Sequence, residues 1–168
     1  MRDLPTPSSP AAVTDSEGPR QGVRLSGMVD NWEMSDAWVF MAVAHASESE
    51  PADLVDVVGA ADAINHAVLT YGEINGAARR LVAAGLLAVD DDRLSLTDQG
   101  RDLRRRCPDT AVHDAIAWTH TALVDGHPVG PPPPWRLDER RYHRAIDEHL
   151  RRFTRYLNRH PRQPDQPG

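Results

Sequence analysis

Tyr71, Asn75, Arg79 and Arg80 fall within ten residues in a stretch of helical periodicity, on the side away from its apolar residues. Their chemistry is recognition, not bond making. An Asn carboxamide matches the donor and acceptor on the edge of adenine, and an Arg guanidinium matches guanine or a phosphate. A Tyr can reach a phosphate oxygen or a thymine methyl. Arg101 and Arg104, with Arg105 and Arg106 beside them, add cations that could meet phosphate.

Other chemistry finds less to work with. The lone Cys107 follows three arginines, a setting that favours a thiolate, but one cysteine allows neither an intramolecular disulfide nor a multi-cysteine zinc site. His113, His120 and His127 repeat every seven residues, too far apart for a familiar ligand pair. His45 is expected in the core of its helix. No nucleophile elbow, phosphate loop or paired-carboxylate signature is present. The expectation is a protein that is not an enzyme and uses no metal or cofactor.

The elements that must position these residues can be read from capping and periodicity. Helix 1 is expected from Ser35 as N-cap, with Asp36 in its first turn. Trp38, Met41, Ala42 and His45 form its buried stripe. Helix 2 is expected from Pro51 to about Asn65–His66, carrying Leu54, Val57, Val58, Ala61 and Ile64 inward, with Gly59 marking a bend. Helix 3 has the clearest start. Thr70 and Glu73 make a capping box, and Ile74, Ala77, Ala78, Leu81 and Val82 make the stripe. Gly85 is the C-terminal glycine. Two short strands, "LLAV" and "RLSLT", flank Asp90–Asp92, so a hairpin is predicted. Thr97 caps the next helix, which Pro108 stops. A fifth helix is expected over about 109–124 and a last one over about 137–158. Its stripe is Tyr142, Ile146, Leu150, Phe153 and Leu157. Between them "DGHPVGPPPPW" reads as a stiff connector.

The order helix, helix, capped helix, hairpin, helix, with "RLVAAGLL" and "LSLTDQGRDL" at its junctions, resembles the winged helix-turn-helix domains of MarR- and PadR-type regulators. The matching residues are Leu81, Gly85, Leu86, Leu96, Thr97 and Gly100. "ADAINHAVLTYGEINGAARRLVAAGLL" is also similar to small uncharacterised actinobacterial winged-helix proteins. The resemblance covers residues 35–106. It implies a mainly α fold with one small β-hairpin, a winged helix with a C-terminal helical extension. It further implies a transcriptional regulator that reads double-stranded DNA through Tyr71, Asn75, Arg79, Arg80, Arg101 and Arg104. A homodimer through the last helix is implied as well. Winged helices also serve as protein-binding modules, so an interaction adaptor that binds no DNA is the alternative.

Charge bears on that choice. Net charge is −6, with −10 in residues 1–100 and +4 in residues 101–168, and all 19 basic residues are arginines. A whole-chain acidic balance does not suit tight nonspecific DNA binding, and three aspartates at the wing tip would repel phosphate. The aspartates are better read as turn formers. The expected division is a disordered tail over 1–30, the winged helix over 31–106, the extension over 107–159 and a second tail over 160–168. No apolar run is long enough to span a bilayer, and the N-terminus lacks an apolar signal core. The expected location is the cytoplasm, with no membrane partner.

Overall fold

The computed structural model describes residues 31–160. The tails expected at 1–30 and beyond His160 lie outside the described residues. The protein is mainly helical with one two-stranded antiparallel sheet. In chain order come α1 (Met34–Ala46), α2 (Leu54–Asn65), α3 (Tyr71–Ala83), β1 (Leu87–Asp90), β2 (Arg93–Leu96), α4 (Asp98–Arg106), α5 (Val112–Gly126) and α6 (Glu139–Arg159).

α1 is the central element. It packs against α2, α3, α4, α5 and β2; Ala37 and Val39 through Ala44 are buried, and Trp38 is half-buried. A helix surrounded on every side must be apolar on every side, which is why "AWVFMAVA" shows no polar face. The N-cap is Glu33, not Ser35. The Glu33 side chain faces the N3 backbone, and the Asp36 side chain accepts the Glu33 N–H at 2.7 Å. His45 is not a core histidine. It falls at the exposed end of the helix, near Glu48.

α2 starts later than Pro51 suggested, because Asp53 is the cap and accepts the Asp56 N–H at 2.9 Å. Residues 51–53 remain extended, and Ala52 exchanges both backbone hydrogen bonds with Leu94, each 2.9 Å. Gly59 makes room for a neighbour: a Cβ there would lie 3.3 Å from the His149 ring of α6. α3 begins as predicted, with Thr70 Oγ1 accepting the Glu73 N–H at 3.3 Å and Glu73 accepting the Thr70 N–H at 2.7 Å. It ends at Gly85, whose φ is +72°, and the Leu86 N–H reaches back to the Leu81 carbonyl.

The hairpin pairs Leu87 with Leu96, Ala88 with Ser95, Val89 with Leu94 and Asp90 with Arg93. Asp91 and Asp92 both have positive φ, +45° and +62°. That is the pattern of the two-residue type I′ turn, where aspartate is among the tolerated residues.

A single core cluster runs through all of these elements and beyond residue 106. It takes in Ala115, Ile116 and Leu123 of α5, Leu137 of the connector, and Tyr142 and Ala145 of α6. The extension after α4 is therefore part of the same core. α6 buries only part of its apolar stripe. Tyr142 is buried and Ile146 half-buried, but Leu150, Phe153 and Leu157 are exposed. No described helix is long and apolar enough to cross a membrane.

Candidate functional site

The outward face of α3 is where the sequence places most of its recognition chemistry. It is also the face that the connector between α5 and α6, residues 127–138, lies against. Three side chains of α3 bond its backbone. Tyr71 Oη donates to the Leu137 carbonyl at 2.9 Å. Asn75 Oδ1 accepts the Leu137 N–H at 3.0 Å. Arg79 Nη2 donates to the Pro133 carbonyl at 3.2 Å. Leu137 thus has both backbone groups held by one helix turn of α3.

The connector is anchored along its length. At its start the Trp32 indole N–H donates to the His127 carbonyl at 2.7 Å. Gly130 passes so close to α3 that a Cβ there would lie 2.9 Å from the Ala83 carbonyl oxygen. Beyond its end, the buried Tyr142 hydroxyl donates to the Leu69 carbonyl at 2.8 Å, and its ring meets Tyr71 edge-on at 5.8 Å. Burial pushes the Tyr142 phenol above its ordinary range, and the nearby Glu73 carboxylate acts in the same direction.

Arg80 corrects the sequence-based expectation most clearly. Periodicity places it on the solvent face, among the residues expected to meet DNA. Instead it turns toward α1. Its Nε lies 2.9 Å from both Asp36 carboxylate oxygens, and its Nη2 lies 3.0 Å from Glu33. Asp36 is fully buried. Burial pushes its carboxyl above the ordinary range, while the Arg80 hydrogen bond and the Glu33 N–H pull it back. Arg80 is therefore spent as a counter-ion inside the fold.

Arg79 is held differently. No carboxylate pairs with it among the described residues, and its Nε is buried without a hydrogen-bond partner. Buried donors are seldom left in this state. Of the remaining candidates, Arg101 is exposed and bonds Asp98 and the Leu96 carbonyl. Arg104 and Arg106 are exposed and face no carboxylate among the described residues; Arg105 pairs with Asp102. The hairpin tip is also engaged: Asp92 pairs with Arg141 of α6.

Cys107 and His127, the side chains weighed for other chemistry, are both buried. Cys107 is buried, with Sγ nearest the Pro108 and Ala115 carbonyls. His127 is buried at the end of α5, and Gln99 Nε2 lies 3.2 Å from its Nδ1. Burial and the nearby Arg106 both hold this imidazole below the ordinary histidine range. Among the described residues, no three His, Cys, Asp or Glu side chains gather closely enough to hold an ion. On α6, Glu148 gathers Arg151, Arg152 and Arg155, and Arg152 also reaches Asp56 of α2.

Compared with known proteins, the chain matches no family model, no curated protein and no solved structure.

Sequence reasoning missed two participants. One is Asp36. Its signal was present: a carboxylate leading into a run with no polar face needs a buried partner. The other is the connector. Four successive prolines offer carbonyls but no N–H groups, so they suit a face built of side-chain donors. Nothing local in the sequence says which face that is.

Proposed function

We propose that this protein is an interaction module on a winged-helix scaffold, and that the face of α3 available to DNA readers serves protein recognition here. One observation carries the reading. Tyr71, Asn75 and Arg79, three of the four recognition residues on α3, bond residues 133–137 of the same chain. The element order and the resemblance to MarR- and PadR-type domains support the scaffold. The acidic balance and the turn-forming aspartates support a partner other than a polyanion.

The test is fluorescence anisotropy of the full chain with mixed-sequence and gene-proximal duplex DNA, from about 20 to 200 mM salt, a range over which phosphate-dominated binding changes steeply. No binding at the low-salt end is expected. Sequence-dependent binding that weakens with salt would overturn the reading. It would favour the second one, a DNA-binding transcriptional regulator whose connector leaves α3. Arg104 and Arg106, exposed and facing no carboxylate among the described residues, give that second reading its support.

Homodimerisation through α6 is proposed on separate grounds. Leu150, Phe153 and Leu157 are 48%, 47% and 42% exposed in line along the helix, an apolar stripe of the kind that pairs helices. Sedimentation should show a concentration-dependent dimer that Phe153→Ser with Leu157→Ser reduces to monomer. A wild-type chain that stays monomeric at about 100 µM, far above the Kd of a specific interface, would sink the idea.

A further inference from the structure

The connector supplies a picture of the ligand that the α3 face accepts. It is a proline-rich segment outside helix and sheet that presents backbone carbonyls to side-chain donors. Residues 131–134 are all proline and have no N–H to offer. α3 answers with two donors, the Tyr71 hydroxyl and the Arg79 guanidinium, spaced to reach the Leu137 and Pro133 carbonyls. It keeps one acceptor, Asn75 Oδ1, for the Leu137 N–H beyond the prolines. Donors directed at carbonyls of a stiff, preformed chain are a general means of recognising proline-rich segments, because little conformational freedom is lost on binding.

A second observation shows that the resident segment is an imperfect occupant. Arg79 is held by one neutral carbonyl, while its Nε is buried with no acceptor. A segment carrying one more carbonyl or a carboxylate at that point would satisfy it. Gly130 marks how closely the resident chain must approach, since a Cβ there would press on the Ala83 carbonyl.

We propose that the face of α3 formed by Tyr71, Asn75 and Arg79 is a docking site for a proline-rich segment of a partner protein, with residues 130–137 as the resident segment that the partner displaces. The inference rests on the interaction-module reading above and names its partner class. The resident segment is tethered, so its effective concentration on α3 is on the order of millimolar. A partner must exceed that, or bind more tightly by also engaging Arg79 Nε.

The test uses a fluorescein-labelled peptide of the resident sequence, GPPPPWRLD, with two forms of the full-length chain. One is wild type. In the other, residues 130–137 are replaced by a Gly-Ser stretch of the same length. The replaced chain should bind the peptide about tenfold or more tightly than wild type. Asn75→Ala with Arg79→Ala in the replaced chain should remove the binding. Helical content by circular dichroism is the control for folding. Leu137 is buried, so a second variant replaces only Pro131–Pro134 and keeps Trp135 and Leu137. In addition, wild type with millimolar peptide should shift the Asn75 side-chain amide in NMR spectra.

Folded replaced chain that binds neither peptide nor DNA overturns the docking site and leaves the interaction-module reading standing. Replaced chain that binds duplex DNA overturns both. Replaced chain that captures intact wild-type chain in sedimentation, and not the peptide, makes the face a self-exchange site and overturns the partner assignment.

Discussion

Arg80→Ala is expected to destabilise the fold by about 3–5 kcal/mol, the cost of leaving one member of a buried ion pair alone. A solvent-facing arginine waiting for DNA would cost no more than about 0.5 kcal/mol. Chemical denaturation therefore separates the two roles directly. The expectation follows from geometry. Asp36 is fully buried, and Arg80 Nε lies 2.9 Å from each of its oxygens. Without the guanidinium, the carboxylate keeps only the Glu33 N–H within its capping box. Two further measurements fix the cause. Adding Asp36→Ala to Arg80→Ala should recover part of the loss, because removing both partners leaves no orphaned charge.

The second measurement is pH dependence. Burial already holds Asp36 above its ordinary value, and Arg80 is the chief group pulling it down. Removing Arg80 raises it further. A carboxyl whose folded pKa exceeds its unfolded pKa contributes stability that is complete below the unfolded value. That contribution is lost as pH rises through the folded value. The deficit of Arg80→Ala should therefore be largest near neutral pH and shrink on acidification into the raised Asp36 range. A pH-independent deficit would point away from the ion pair.

Gly100→Ala is expected to be as damaging, for a steric reason. A Cβ at Gly100 would sit 2.2 Å from the Leu86 carbonyl oxygen, 3.2 Å from its carbonyl carbon and 3.3 Å from Leu96 Cβ. The obstacle is backbone, and it is pinned: Leu86 O accepts the Thr97 N–H, and Leu86 N–H bonds the Leu81 carbonyl. No side chain can rotate away, so the first turn of α4 must lift off the base of the hairpin. Overpacking of this kind costs about 3 kcal/mol or more. Gly72→Ala is the control. It sits in the first turn of α3, exposed, and its Cβ would meet nothing nearer than Thr70 Oγ1 at 4.0 Å. Alanine there should stabilise by about 0.5–1 kcal/mol. Both values come from urea or guanidinium midpoints; equal effects at the two glycines would contradict the close approach of α4 to Leu86.

These two residues also show how unevenly the sequence spoke. Gly100 was legible as a junction residue from its place in "LSLTDQGRDL", and the structure supplies the contact that requires it. Thr70, Glu73, Gly85 and Thr97 were legible because capping is local chemistry: donor and acceptor lie within three or four residues. The Asp91–Asp92 turn was legible for the same reason, since backbone preference belongs to the residue itself.

Arg80 was legible only as an exposed cation, and α6 only as a continuous stripe, because both depend on what lies across the fold. Periodicity places a side chain on a helix face. It cannot say whether that face meets water, another helix or a distant segment of the same chain. The sequence by itself determined the element types, the caps of α3 and α4 and the junction glycines. It also determined that α3 carries Tyr71, Asn75, Arg79 and Arg80 away from its apolar stripe. Only the tertiary structure decided what those four residues do. Arg80 is drawn inward because the buried Asp36, 44 residues earlier, needs a counter-charge. Tyr71 and Asn75 are drawn to the two backbone groups of Leu137, and Arg79 to the Pro133 carbonyl, because a segment outside helix and sheet leaves its backbone groups to side-chain partners. Both pairings join residues more than 40 positions apart, beyond the reach of any local signal.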